Sequence, residues 1–197
     1  MRICVLMGSP RERGNTAALT QAFLDQWGQF GQESQVIRLY SRQIHPCLGC
    51  MACQDCLDGL GCVQKDDFKD IFLKMSQADG ILFATPVYAW YCTAPMKALL
   101  DRAVYAGNKN YGRKKGPALL AGKCVASIVT CGYPVEKGAD LWEAGLKRVC
   151  RHSKMEYMGM FCGQDQGRNV PFMDEEKAVG VREFARALHS AMRVKLL

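Results

Sequence analysis

The chain has 197 residues, 49% of them hydrophobic and 23% charged; that length suits one core rather than two full domains, and the composition excludes extended disorder, collagen-like and low-complexity architectures. The net charge of +7 suits a phosphate-bearing ligand or an acidic partner protein. Nucleic acid is disfavoured, because the one dense basic run, Lys109–Lys115, has no recognition motif around it and reads as a solvated loop.

In chain order, the first strand is expected over Arg2–Met7, and the Gly-rich stretch Gly8–Thr16 leads from it into a helix whose Leu19, Ala22, Phe23 and Trp27 share one face. Met1–Met7 is too short for a signal peptide and has no cleavage site after it, which places the protein in the cytoplasm. A second strand is expected over Gln35–Tyr40, followed by an irregular segment, Ser41–Lys65. A second helix carries Phe68, Ile71, Phe72 and Met75, and a third strand covers Gly80–Thr85. The stretch Ala78–Met96 is the most apolar, but Asp79, Pro86 and Pro95 interrupt it, so no membrane span is expected. The next helix starts with Thr93 as N-cap and Pro95 in its first turn. A fourth strand over Lys123–Thr130, a helix with Trp142, Gly145, Leu146 and Val149, a fifth strand over Glu156–Cys162 and a last helix with Val181, Ala185, Leu188 and Met192 complete the series.

Strands alternating with helices predict an α/β fold with a doubly wound, five-stranded parallel sheet in the flavodoxin-like order 2-1-3-4-5. It forms a single domain over 1–197, with a Cys-rich insertion at about 41–65 after strand 2. In such a sheet a ligand sits beyond the strand C-termini, so chemistry is expected in the loops after strands 1, 3 and 4.

The first of these, Gly8-Ser9-Pro10-Arg11-Glu12-Arg13-Gly14-Asn15-Thr16, brings hydroxyls, an arginine and backbone N–H groups to a helix N-terminus, where a phosphate binds well. It is not a triphosphate loop, since five residues separate its glycines and Asn15 follows the second. Nor is it a dinucleotide loop, since strand 2 ends in Tyr40-Ser41-Arg42 without an acid. After strand 3, Thr85-Pro86-Val87-Tyr88-Ala89-Trp90-Tyr91 offers aromatic faces that can stack on a planar ring. After strand 4, Gly132 in Thr130-Cys131-Gly132-Tyr133 lets backbone amides approach a ligand. Cys131 and Cys92 read as buried packing before they read as redox thiols.

Five of the eleven cysteines, Cys47, Cys50, Cys53, Cys56 and Cys62, fall within sixteen positions. In a reducing compartment this reads as metal or redox chemistry before disulfides. Cys47-x2-Cys50-x2-Cys53 is a tight thiolate array of the kind that wraps an iron-sulfur cubane. A set of free thiols and a four-Cys zinc site are the other readings, zinc ranking last because its knuckles are ordinarily separated. Asp66 and Asp67 read as helix-capping residues, and His45, His152 and His189 show no metal or triad spacing.

Taken together, Gly-Ser-Pro-Arg-x-x-Gly-Asn-Thr, then Pro-Cys-x-Gly-Cys-x-x-Cys running to Cys-x-x-x-Asp-Asp, then Thr-Pro-Val-Tyr and Lys-Ala-Leu-Leu-Asp-Arg resemble the iron-sulfur flavoproteins. These belong to the wider NADPH-dependent FMN reductase family. The resemblance covers residues 1 to about 165. It implies FMN, with its phosphate on Ser9, Arg11, Asn15, Thr16 and Ala17 and its isoalloxazine against Pro86, Val87, Tyr88, Ala89, Trp90, Cys131 and Gly132. It further implies a 4Fe-4S cluster and a homodimer or dimer of dimers with the flavin near a subunit interface. The family's compact motif places the fourth cysteine nearer than here, where eight residues separate Cys53 from Cys62. Pro46, Cys47 and Gly49 anchor the set Cys47, Cys50, Cys53 and Cys62, while Cys50, Cys53, Cys56 and Cys62 form the alternative. The expected activity is an FMN-dependent oxidoreductase passing electrons from NAD(P)H or a ferredoxin-like donor to a small acceptor: a quinone, flavin, oxygen or peroxide. A cluster-less NAD(P)H-dependent reductase and a non-enzymatic redox carrier or sensor are the alternatives.

Overall fold

A computed structural model describes residues 1–196 as one five-stranded sheet clasped by helices on both faces. The strands are β1 (Arg2–Met7), β2 (Glu33–Arg38), β3 (Gly80–Pro86), β4 (Cys124–Cys131) and β5 (Glu156–Gln164). The helices are α1 (Asn15–Gln29), α2 (Phe68–Gln77), α3 (Ala94–Gly107), α4 (Val135–Gly138), α5 (Asp140–His152) and α6 (Glu175–Leu196). All pairings are parallel and the order is β2-β1-β3-β4-β5, as the alternation of strand and helix predicts.

The central strands are buried on both faces, which is why they read as nearly continuous apolar runs. Successive side chains leave a strand on opposite sides. Accordingly Ile3, Val5 and Met7 of β1, with Leu82 and Ala84 of β3, join Leu19, Phe23 and Trp27 of α1 and Val181, Leu188 and Met192 of α6. Cys4, Leu6, Ile81 and Phe83 face the other way, onto Phe68 and Ile71 of α2, Leu99 of α3 and Trp142 and Leu146 of α5. The Trp142 indole donates to Ser127 Oγ at 2.9 Å, and that hydroxyl donates to Phe83 O at 2.9 Å, so this buried polar group inside β4 is satisfied.

Three local expectations shift. β2 lies two residues earlier than expected, because Glu33 pairs with Arg2 in register and Leu39 turns inward through a short 3-10 turn, Leu39–Ser41. Thr93 occupies the α3 N-cap position, but its hydroxyl donates to Gly8 O at 2.8 Å rather than to its own helix. Asp66 caps α2 as expected, its Oδ1 accepting the Phe68 N–H at 3.2 Å, but both acids also reach back along the chain: Asp67 accepts from Gln43 N and Asp66 from His45 N, each at 2.8 Å, which ties down the base of the Cys-rich segment. Among the described residues no helix is long and apolar enough to cross a membrane.

Candidate functional site

Parallel pairing brings the loops after β1, β3 and β4 to one edge of the sheet. Gly8 opens the first: its N–H donates to Ala84 O at 2.7 Å, and a Cβ there would lie 3.0 Å from both Met96 Cε and Thr93 Oγ1. Ser9 Oγ accepts the Arg11 N–H at 3.2 Å and shapes the bend. The Arg11 side chain then folds over Gly14, where a Cβ would come within 2.9 Å of Arg11 Cβ and 3.0 Å of Nε. Helix α1 begins at the next residue without a side-chain cap. Its first N–H groups therefore lack partners within the helix, and together with the guanidinium they form a cradle for an anion.

Two residues expected at the phosphate are tied by their side chains elsewhere, Asn15 to the loop after β5 and Thr16 to β4. Asn15 Nδ2 donates to Asp165 Oδ2 at 2.8 Å, and the Thr16 and Thr130 hydroxyls share a 2.7 Å hydrogen bond. Their backbone N–H groups, in the uncapped first turn of α1, remain to be offered to an anion. Ala17 faces a larger cavity, about 670 Å³, on the outer flank of α1 beside β2, lined also by Arg13, Leu24, Val36 and Arg42.

The loops after β3 and β4 enclose a second pocket, about 220 Å³, lined by Val87, Ala89, Trp90, Cys131, Gly132, Tyr133 and Gly138. Of the residues expected at a planar ring, Pro86 instead ends β3 opposite Thr130, and Tyr88 lies outside the lining. Tyr88 and Tyr91 exchange backbone hydrogen bonds at 2.9 and 3.0 Å around a tight turn whose central residues, Ala89 (φ 49°) and Trp90 (φ 62°), are both left-handed. Non-glycine residues in that region are strained, and such strain clusters at ligand sites. The turn sets Trp90 in a stacked arrangement on Tyr133, ring planes 11° apart and centroids 6.1 Å apart; the two are 50% and 58% exposed.

Cys131 lies at the pocket floor, its Sγ 3.4 Å from Cys162 Sγ on β5. The hydrogen bond with Cys162 holds the Cys131 thiol below the ordinary thiol value although burial opposes it; Cys162 is pushed up by that same contact and by burial. Cys92 is buried and its thiol is pushed up to about 12 by desolvation, as packing rather than reactivity requires.

The Cys-rich segment forms a third site against α3. Cys47, Cys50, Cys53 and Cys62 line one pocket with Arg102 and Tyr105, and Cys56 does not. Cys56 Sγ instead lies 3.6 Å from Asp58 Oδ1, with its Cβ packed at Gly61. The four thiols surround the pocket without converging on a point: among the described residues no three His, Cys, Asp or Glu side chains form a group that could hold a single metal ion. Arg102 is buried beneath them. Its Nη2 donates to Cys62 Sγ at 3.3 Å, both Nη atoms bond the Asp66 carboxylate at 2.5 and 2.9 Å, and the guanidinium lies 4.2 Å from the Phe68 ring centroid. Burial pushes the Asp66 carboxyl up, but hydrogen bonds from Arg102 and from the His45 and Phe68 N–H groups outweigh it and hold the group below the usual aspartate value. Arg102 Nε is buried with no partner. An orphan donor on a residue lining a four-thiol pocket suits an occupant that presents acceptor sulfur.

Sequence reasoning missed Asp165, Gly138 and the inward role of Arg102. Arg102 carried a signal, since it closes the Lys-Ala-Leu-Leu-Asp-Arg run. Asp165 carried none, because only the pairing of Cys131 with Gln164 brings its loop beside α1.

An all-parallel sheet in this order, with an anion cradle after β1 and a ring-sized pocket after β3 and β4, defines a flavodoxin-like protein. The chain belongs to the NADPH-dependent FMN reductase family, whose model matches residues 1–162. It is similar to an iron-sulfur flavoprotein of Methanosarcina thermophila, 37% identical over 124 residues that cover 62% of this chain and 63% of the relative. It is also similar to an iron-sulfur flavoprotein of Methanocaldococcus jannaschii, 37% identical over 103 residues that cover 52% of each. The match thus spans half to under two thirds of these relatives' lengths. Among solved structures, an NAD(P)H:quinone oxidoreductase from Methanothermobacter marburgensis superimposes with a TM-score of 0.71 at 17% identity, covering 97% of this chain and 98% of that one. An archaeal flavodoxin gives 0.59 at 14% identity, covering 98% and 99%. These two likenesses speak for the fold.

Proposed function

We propose that the chain is an FMN-dependent oxidoreductase that also carries a 4Fe-4S cluster, on Cys47, Cys50, Cys53 and Cys62. The observation that carries the reading is the division of the five clustered cysteines: these four share one pocket over a buried arginine, and Cys56 turns to Asp58. FMN supplies hydride and electron-transfer chemistry when bound, and the cluster supplies a one-electron relay.

The chain's own residues bind and orient. Arg11 and the first N–H groups of α1 hold the phosphate of FMN. Val87, Ala89, Trp90, Cys131 and Gly132 border its ring, with Tyr133 added to that set, and Arg102 donates toward the cluster through Cys62 Sγ. The exposed Trp90 and Tyr133 support a homodimer or dimer of dimers in which a second subunit covers the ring pocket. A net charge of +7 supports an NAD(P)H or acidic ferredoxin-like donor; a quinone, free flavin, oxygen or peroxide is the acceptor class.

The test is the absorption spectrum and iron content of protein purified without oxygen. Flavin bands on a broad shoulder that dithionite bleaches, with about four irons per chain, are expected. Cys56→Ser should retain the iron and Cys62→Ser should lose it. Flavin bands that never acquire iron on reconstitution would leave a simple flavin reductase, and a colourless protein that takes up no FMN would defeat the reading altogether.

A further inference from the structure

Lys109 opens the basic run that composition assigns to a solvated loop, yet it is fully buried at 0% exposure, while Arg113, Lys114 and Lys115 stay outside. The loop closes on its own base: Asn108 bridges Ala118, Lys109 N donates to Pro117 O at 3.1 Å and Gly116 N donates to Lys109 O at 2.7 Å. Gly116 fits there because it lacks a Cβ, which would lie 2.8 Å from Lys109 Cβ and 3.1 Å from Leu57 Cδ2. The lysine stem is thereby driven inward, under the Cys-rich segment.

Its ammonium donates to Cys53 O at 2.9 Å and to Leu60 O at 3.0 Å. These carbonyls stand at the two ends of the spacer Gln54–Gly61, which is longer here than the compact cysteine motif requires. Gln54 pins the spacer to the same loop, donating to Tyr105 O at 2.5 Å and Asn108 O at 3.0 Å and accepting from Tyr111 N at 3.0 Å. Two carbonyls satisfy donors but do not neutralise a charge, and no carboxylate forms an ion pair with Lys109 among the described residues. The charged or titratable groups facing it are Cys53, Cys56, Asp58 and Cys62. Asp58 faces the ammonium without reaching ion-pair distance, and a buried ammonium with no directly paired carboxylate is costly; a pocket holding an anionic thiolate cluster supplies further negative charge.

We propose that Lys109 is a positioning residue of the four-thiol pocket: it clips the long spacer so that Cys62 returns to Cys53, and its buried charge balances the thiolate-bound cluster. The inference rests on the reading of that pocket as a cluster site. Removing the charge disfavours the more negative, reduced cluster, so the expected effect reaches the cluster's potential as well as its retention.

The experiment compares wild type, Lys109→Met and Lys109→Arg as full-length, FMN-loaded, anaerobically reconstituted protein. It measures the rate of iron loss to a chelator and the cluster midpoint in a redox titration followed by electron paramagnetic resonance. Lys109→Met should lose iron roughly tenfold faster, the order expected for a lost charge-assisted contact, with a more negative midpoint, and Lys109→Arg should restore much of both. A Lys109→Met cluster with wild-type retention and midpoint overturns the proposal, as does faster loss at an unchanged midpoint, because the buried charge is then not felt. If the Met variant does not fold, judged by circular dichroism and FMN content, Lys109→Gln keeps a donor without the charge and must show the same midpoint shift. Wild type that takes up no iron is a different failure: it defeats the cluster reading itself, and the inference with it.

Discussion

Thr16 at the start of α1 and Thr130 at the end of β4, 114 residues apart in the chain, share a buried 2.7 Å hydrogen bond between their hydroxyls. Thr130 O also accepts the Val87 N–H at 2.8 Å. One residue thus links the anion cradle, the loop after β3 and the loop after β4, and it holds the two halves of the proposed flavin site in register.

Removing either hydroxyl leaves the other buried and unpaired. Thr130→Val should therefore destabilise the protein by about 1–3 kcal/mol and Thr16→Val by a similar amount, while the double variant should lose clearly less than the sum. Urea denaturation of the three variants measures this. Additive losses would show that the pair does not act as a unit.

Gly14→Ala places a methyl group where the Arg11 stem lies, at 2.9 Å. Displacing the guanidinium from the α1 N-terminus should weaken FMN binding roughly tenfold, the order of one charge-assisted hydrogen bond, with little change in the fold. Flavin fluorescence titration of the apoprotein reads it.

The strained turn makes the opposite prediction for stability. Ala89→Gly relieves a left-handed alanine, and net of glycine's extra unfolded-state entropy it should stabilise the apoprotein by up to about 1 kcal/mol. Thermal unfolding of wild type and variant decides it.

Asp66 and Arg102 form an ion pair whose side chains are 0% and 1% exposed. Asp66→Asn leaves a buried guanidinium without its carboxylate and should cost about 3–5 kcal/mol. The folded carboxyl titrates below the ordinary value of 3.8, so its stabilising contribution is present in full above that value and is lost as pH falls through the lower, folded one. Wild type should show this acid-side loss and Asp66→Asn should lack it, which denaturation at a series of acid pH values would reveal.

Strand positions were legible where a strand is central. β1, β3 and β4 are apolar on both faces, so their residue types leave little freedom. β2 is the edge strand and buries only Ile37 among its six residues, and there the pattern misplaced the element by two positions. The phosphate loop was legible because it is local, nine consecutive residues leading into one helix. The links from Thr16 to Thr130 and from Asn15 to Asp165 span 114 and 150 residues, and no spacing rule announces them.

Local pattern was enough for the layered α/β architecture and the three kinds of loop at its edge, because hydrophobic period, turn residues and helix ends are properties of neighbouring residues; the strand order followed from the few ways such alternating units pack. Only the folded chain fixed which of five clustered cysteines line one pocket, that a lysine in a basic run is buried beneath them, and that two threonines lock the loops together. Each of these depends on which distant segments share a volume, and burial, not composition, sets the energetic consequence of a charge or hydroxyl placed there.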